Sequence, residues 1–178
     1  MDSALGWIGQ AVEWLAQFVP RWQIIAATQA GVKFIKGKTV VPLQPGIAWY
    51  WPATTIMQIY PTARQTVDLR TQTLVTTDGK TVGVGGMVSY RVVDIEALLG
   101  RTFDPDQTIR DICGGAISEV VRVCAWPDLQ TYAFERELRR IMRKRLRPFG
   151  VSVIKATLTD CSQIRVYRLV NSTSADVG

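Results

Sequence analysis

Histidine is absent from the 178 residues of this chain, and this absence excludes several kinds of chemistry. A serine or cysteine nucleophile has no histidine base here, and the commonest protein ligand of metal ions is missing. Cysteine is scarce, and the three cysteines, Cys113, Cys124 and Cys161, form no C-x-x-C pair. We therefore expect no disulfide framework and a reducing compartment, and no motif in the chain predicts a cofactor or a catalytic centre.

Long apolar runs are also lacking, which argues against a membrane-spanning helix. A spanning helix needs about 20 apolar residues, whereas the apolar segment 4–19 is shorter and carries Glu13. Its apolar residues recur at helical spacing around a narrow polar face, which predicts an amphipathic helix within residues 1–21. The basic start and cleavage site of a signal peptide are missing. We interpret the segment as a helix in the membrane surface, with packing on a neighbouring subunit as the alternative.

Tryptophan marks the candidate membrane contact, because its ring favours the depth of the lipid headgroups. Trp49 and Trp51 share one face of a predicted strand, which indicates either a core position or a second membrane contact. The predicted membrane-binding residues are Trp7, Ile8, Trp14, Leu15, Phe18, Trp22, Trp49 and Trp51.

A long β-hairpin is predicted from Thr66 to Asp94. Asp78-Gly79 lies at its centre, and Asp-Gly between β-type runs is a strong hairpin pattern. Along the second arm every other residue from Val82 to Val92 is apolar except Gly86, so one face can pack on a core. Glycines within this arm predict a bulge or a close backbone approach.

Helices are predicted after the hairpin, so the order of elements is that of an α+β fold. Asp94 is expected to cap a short helix, and Asp104 a long one in which Gln107 completes a capping box. Asp128 is expected to cap a second long helix that ends at Arg147. A strand is predicted from residue 151, with Val151 and Val153 on one face and Ile154, Ala156 and Leu158 mostly on the other. We expect a single domain over residues 22–170 and a flexible polar tail at 171–178.

Seven short motifs follow one another along residues 23–160. They are Gly31 to Gly37, Pro45-Gly46 to Trp51-Pro52, Asp68 with Arg70, Asp78-Gly79, Tyr90 to Asp94, Glu135 to Leu138, and the closing run from Gly150 to Asp160. In this order and spacing they resemble the SPFH or Band 7 family of stomatins, prohibitins and flotillins. The resemblance implies antiparallel strands with two packed helices. It also implies a membrane-attached scaffold that forms rings, organises membrane proteins or lipid microdomains, and has no catalytic centre of its own.

The resemblance further implies a homo-oligomer, although these residues hold no run of three heptads and thus no long coiled coil of the kind that closes most such rings. The formal net charge of +6 lies wholly in 136–147, which contains seven basic residues and one acid. This run predicts a subunit-pairing or solvated face, an attraction to anionic lipids on the cytoplasmic side, or, less in keeping with the aromatic first helix, nucleic-acid binding. A ring subunit of a larger, virus-like particle is the alternative function. The predicted interface residues are Arg136, Arg139, Arg140, Arg143, Lys144, Arg147, Asp104, Asp106 and Asp111.

Overall fold

The computed structural model describes residues 18–164, which form eight strands and three α-helices. The strands are β1 (Arg21–Ile25), β2 (Gln29–Ile35), β3 (Thr39–Leu43), β4 (Gly46–Tyr50), β5 (Thr55–Pro61), β6 (Gln65–Val75), β7 (Thr81–Val92) and β8 (Val151–Gln163). The helices are α1 (Ile95–Arg101), α2 (Pro105–Val123) and α3 (Tyr132–Leu146), with 3-10 turns at Trp126–Gln130 and Arg147–Phe149. The predicted α+β class is confirmed.

All strand pairs among the described residues are antiparallel, and they form three small sheets. The sheet orders are β1-β4, β3-β2-β5 and β6-β7-β8. Helix α2 lies against β6 and α3, α3 lies against β8, and α1 lies against β2 and β3. Strand β7 is the central strand of the β6-β7-β8 sheet. The main core lies between that sheet and the two long helices.

The predicted hairpin is confirmed as β6 and β7. The Thr76 N–H donates to the Lys80 carbonyl at 3.0 Å, and the Gly79 N–H donates to the Thr76 carbonyl at 3.0 Å. Gly79 has φ 74°, a left-handed conformation that glycine adopts without steric cost. The side chain of Asp78 accepts a hydrogen bond from Thr76 and pairs with Lys80 at 3.2 Å. A tight turn with its own side-chain contacts thus fixes the register of the two arms.

The bulge predicted at the glycines of β7 is also confirmed, although the extra residues of the bulges lie in the neighbouring strands β6 and β8. Opposite Gly85 and Gly86 the register shifts in both β6 and β8. A Cβ on Gly85 would lie 2.8 Å from the hydroxyl oxygen of Thr71, so only glycine leaves room for the bulge of β6. Bulges increase the local twist of a sheet, which lets α2 and α3 cover one face of β6-β7-β8.

The core takes the apolar face of β7 together with the inner faces of α2 and α3. The predicted alternation holds, because Val82, Val84, Val88, Tyr90 and Val92 are all buried. They meet the apolar faces of the two long helices, which contribute Ile109, Cys113, Ala116, Ile117, Val120, Val121, Phe134, Leu138, Met142 and Leu146. Each valine, leucine, isoleucine, phenylalanine or methionine among them contributes about 1.5–3 kcal/mol when fully buried.

The alternation expected in β8 was wrong. Residues 151 and 153 were expected on one face and residues 154, 156 and 158 on the other. Ile154 is instead the extra residue of a bulge opposite the Ser89–Tyr90 step of β7. This shift brings Ala156 into the same core as Val151 and Val153, because a one-residue slip exchanges the faces of a strand.

The helix starts were predicted in part. The Asp94 and Asp104 carboxylates accept the Ala97 and Gln107 N–H groups, each at 3.0 Å, as expected of N-caps. The capping box was wrong, because the Gln107 side chain donates to Asp111 at 2.8 Å instead. The expected cap at Asp128 was also wrong: Asp128 lies in a 3-10 turn, and Thr131 caps α3.

Candidate functional site

An apolar platform covers one face of the β1-β4 ribbon. The antiparallel register places Trp22 directly opposite Trp49, and Ile24 directly opposite Ile47. Directly opposed residues, and residues two apart in one strand, share a face, so these four side chains form one surface. Their exposed fractions are 57%, 61%, 61% and 67% in the order Trp22, Trp49, Ile24 and Ile47.

The other face of the ribbon turns inward through Ile25, which is buried. The ribbon thus exposes its two tryptophan side chains to solvent, although large aromatic residues in strands are usually buried. Trp51, just after β4, and Phe18 and Val19, just before β1, are also more than half exposed. The core alternative for Trp49 and Trp51 was wrong, because both rings are exposed. Contiguous exposed apolar patches on soluble proteins mark binding surfaces for proteins or membranes.

Lysines lie beside the platform. The Lys33 ammonium donates to the Trp49 carbonyl at 3.2 Å and ties β4 to β2. The Lys36 N–H donates to the Thr54 carbonyl at 2.7 Å, and the Thr54 N–H donates to the Trp51 carbonyl at 3.1 Å. The turn with the exposed Lys36 and Lys38 therefore lies next to the turn that carries Trp51. Sequence reasoning missed these lysines, together with Ile24 and Ile47, because only the strand pairing brings them to the tryptophans.

The predicted N-terminal helix lies outside the described residues, and so do Trp7, Ile8, Trp14 and Leu15. Phe18 and Trp22 are described, and both are exposed. Within residues 18–164, every helix is too short or too polar to cross a bilayer.

Four of the seven basic residues in 136–147 line two clefts. Arg136 and Arg139 line a groove whose other walls carry Arg64 and Lys155. Arg143 and Arg147 line a separate cleft with Arg101 of α1. Arg140, Lys144 and Arg145 line neither cleft.

Two arginines on α3 have carboxylate partners, and a third is held by the backbone. Arg140 pairs with Glu137 at 2.5 Å, as expected for neighbours three apart on a helix, and this pairing holds the pKa of Glu137 below its usual value. Arg145 pairs with Glu119 of α2. Arg143 donates from Nε to the Val153 carbonyl at 2.9 Å. Lys144 is exposed.

All three acids of the predicted interface are exposed, and each already has a role within its own chain. Asp104 caps α2, and Asp111 accepts from the side chain of Gln107 at 2.8 Å. Asp106 accepts from the Tyr60 hydroxyl at 2.5 Å. Asp111 is therefore the acid whose replacement disturbs the fold least.

Tyr60, Tyr90 and Asp106 connect three parts of the fold. The two hydroxyl oxygens are 3.2 Å apart, and both tyrosines are buried. Burial, and then the hydrogen bond to Asp106, raise the pKa of Tyr60 far above its usual value. The network stays protonated at the tyrosines and joins β5, β7 and the start of α2.

The cysteines carry no evident chemistry. Burial raises the pKa of the Cys113 thiol to about 12, so it is not a thiolate at neutral pH. The pKa values of Cys124 and Cys161 are raised by burial as well. Among residues 18–164 no three acidic or cysteine side chains are grouped as metal ligands would be.

Comparison with known proteins assigns this fold to a family. A family model described as "SPFH domain / Band 7 family" matches residues 23–165, so the chain belongs to that family. The resemblance indicated by the seven motifs is thereby confirmed. The chain is also similar to an uncharacterized protein of Archaeoglobus fulgidus, with 24% identity over 159 residues. The matched region covers 86% of this chain and 63% of that relative, so the chain spans less than two thirds of the relative's length.

Proposed function

We propose that this protein is a membrane-associated, homo-oligomeric scaffold of the SPFH type that organises membrane proteins or lipid microdomains. Family membership supports a stomatin- or prohibitin-type scaffold at a coarse level and favours a non-enzymatic role. The observation that carries the proposal is the exposed platform formed by Trp22, Ile24, Ile47 and Trp49.

The platform suits the interfacial region of a bilayer. Tryptophan rings favour headgroup depth, and exposed isoleucines gain about 25 cal/mol for each Å² of apolar surface that leaves water. Lys36 and Lys38 beside the platform add about 1 kcal/mol each against an anionic leaflet. Anionic lipids are typical of the cytoplasmic leaflet, and three free cysteines fit a reducing compartment. We therefore propose membrane contact on the cytoplasmic side.

Flotation of the full chain with anionic liposomes tests the membrane contact. We expect the wild type to float, and the double variant Trp22→Glu/Trp49→Glu to remain at the bottom of the gradient. The matched control is Phe103→Glu/Tyr132→Glu, which places the same charges at exposed aromatic residues away from the platform. The reasoning fails if the platform variant floats as well as the control.

The predicted N-terminal helix is tested in the same assay. Trp7→Glu/Trp14→Glu is expected to abolish or weaken flotation, because those rings would share the interfacial depth of the platform. Unchanged flotation would favour the alternative in which residues 1–21 pack on a neighbouring subunit.

Assembly is proposed to use the exposed arginines of α3 against acids at the start of α2 in the next subunit. A basic face that meets an acidic face repeats from copy to copy and can close a ring. Exposed ion pairs contribute only about 0–1 kcal/mol each, so they set register while apolar contacts supply affinity. Arg136→Glu/Arg140→Glu is expected to lower the assembly mass in light scattering at low salt. Adding Asp111→Lys should restore part of it, and an unchanged mass would exclude this interface.

A further inference from the structure

A basic cleft of about 720 Å³ lies where α1, the turn Arg147–Phe149 and the start of β8 meet. Three arginines from different elements line it: Arg101 from α1, Arg143 from α3 and Arg147 from the turn. The apolar residues Val93, Ala97 and Val151 line it as well. The cleft thus combines cationic and apolar side chains.

Backbone hydrogen bonds hold the cleft in this shape. The Gly150 carbonyl accepts the Val93 N–H at 2.8 Å and the Asp94 N–H at 3.1 Å. The Arg101 guanidinium donates to the Pro148 carbonyl at 2.8 Å, which joins α1 to the opposite wall. A ligand would therefore meet a preformed site and would not have to order it, which lowers the entropic cost of binding.

The three guanidinium groups are not neutralised within the described residues. Each ion pair recorded for residues 18–164 involves other basic side chains: Lys80, Arg140 and Arg145. Arg143 uses its Nε–H for the Val153 carbonyl, and Arg101 uses one Nη1–H for Pro148. A guanidinium has five N–H donors, so these bonds fix the orientation of both groups and leave most of their donors available.

One acid, Asp94, also lines the cleft. Its carboxylate accepts the Ala97 N–H as the N-cap of α1, so it is already engaged at the positive end of that helix. Three arginines against one engaged carboxylate leave a surplus of positive charge. Planar guanidinium groups match the oxygens of carboxylates and phosphates, and a phosphate monoester carries the larger charge, about −1.5 to −2 near pH 7.

We propose that this cleft binds a phosphate monoester through Arg101, Arg143 and Arg147, and that Val93, Ala97 and Val151 contact the apolar part of the molecule where it has one. The site goes beyond the proposed scaffold function, because the ligand can be soluble and the platform is not involved. The phosphate can come from a lipid headgroup or from a soluble phosphate ester, and the two sources differ in how much the apolar lining residues contribute to binding.

The test is isothermal titration calorimetry of the full chain with two soluble probes. One is a short-chain phosphatidate below its micelle concentration, and the other is inorganic phosphate. The matching short-chain phosphatidylcholine serves as a control, because its phosphate is capped by choline. Tighter binding of phosphatidate supports a lipid headgroup as the source, and equal binding of both phosphates supports a soluble ester. Absence of binding by both, or equal binding of phosphatidylcholine, overturns the proposal.

The variant that tests the site is Arg147→Gln, because no hydrogen bond or ion pair to another described residue engages that side chain. Loss of a charge-assisted hydrogen bond is expected to weaken binding about ten- to a hundredfold. Arg136→Gln is the matched control, since it removes the same charge from α3 but lies outside the cleft. Equal weakening by both variants would show that only the overall charge matters and would refute the site. Unchanged thermal unfolding of both variants shows that folding is not the cause.

Discussion

Gly150 offers a test of how closely the turn before β8 packs against Asp94, the residue that caps α1. Its φ is +68°, and a Cβ built on it would lie 2.7 Å from the Asp94 Cβ and closer still to the Asp94 carbonyl oxygen. Replacement by alanine thus meets two separate obstacles, the left-handed backbone and the contact with Asp94. We expect Gly150→Ala to destabilise the protein through both.

Gly37 provides the matched control, because its φ is also +68° but its Cβ would have no neighbour within 4 Å. Gly37→Ala should lose only the left-handed term, about 1–2 kcal/mol. Gly150→Ala should lose that term and the cost of overpacking, about 1–3 kcal/mol, for a total of about 2–5 kcal/mol. The difference between the variants isolates the approach of Gly150 to Asp94.

Urea unfolding followed by tryptophan fluorescence measures both variants, at one protein concentration because assembly makes stability depend on concentration. The expected result is a lower unfolding midpoint for Gly150→Ala than for Gly37→Ala. Equal losses in the two variants would refute the reasoning, since they would show that the start of α1 moves away from the turn at no cost.

Three further predictions concern side chains in the described region. Tyr60→Phe removes the donor of a hydrogen bond to a carboxylate and should lower the free energy of unfolding by about 1.5–3 kcal/mol, whereas Tyr132→Phe at an exposed tyrosine should have almost no effect. In iodoacetamide labelling at pH 8 followed by mass spectrometry, Cys113 should react only after unfolding, because its pKa is about 12 in the folded chain; rapid labelling of the native protein would contradict its burial. Hydrogen bonds, first from Thr76 and then from Lys80, hold the pKa of Asp78 below its ordinary value near 3.8. Its contribution is therefore present above the unfolded pKa and lost as pH falls through the lower folded pKa, so the stability difference between wild type and Asp78→Asn should shrink in acid.

Local patterns of sequence determined the hairpin, two helix caps and the family. Asp78-Gly79 between alternating runs specifies a turn and two arms, because the turn needs a left-handed residue and the arms need one apolar face. Asp104 before a proline specifies a helix start for a similarly local reason. The family motifs are combinations of such local features, which explains why they could be read from the sequence.

Errors in the sequence analysis arose where a neighbouring strand or a competing side chain decides the outcome. The bulge at Ile154 depends on how β8 pairs with β7, so periodicity in β8 alone predicted the wrong faces. The capping box failed because Gln107 found a partner in Asp111. In each case two local arrangements were available, and a tertiary contact or a competing side chain selected one of them.

The candidate surfaces were decided mainly by tertiary structure. The sequence supplied tryptophans and arginines, but the pairing of β1 with β4 placed Trp22 against Trp49 and turned both to solvent. Likewise, the packing of α1 against the turn after α3 separated Arg143 and Arg147 from Arg136 and joined them to Arg101. Residues more than 20 positions apart meet only when the whole chain has folded, because their contacts depend on strand order and helix packing and not on the local backbone.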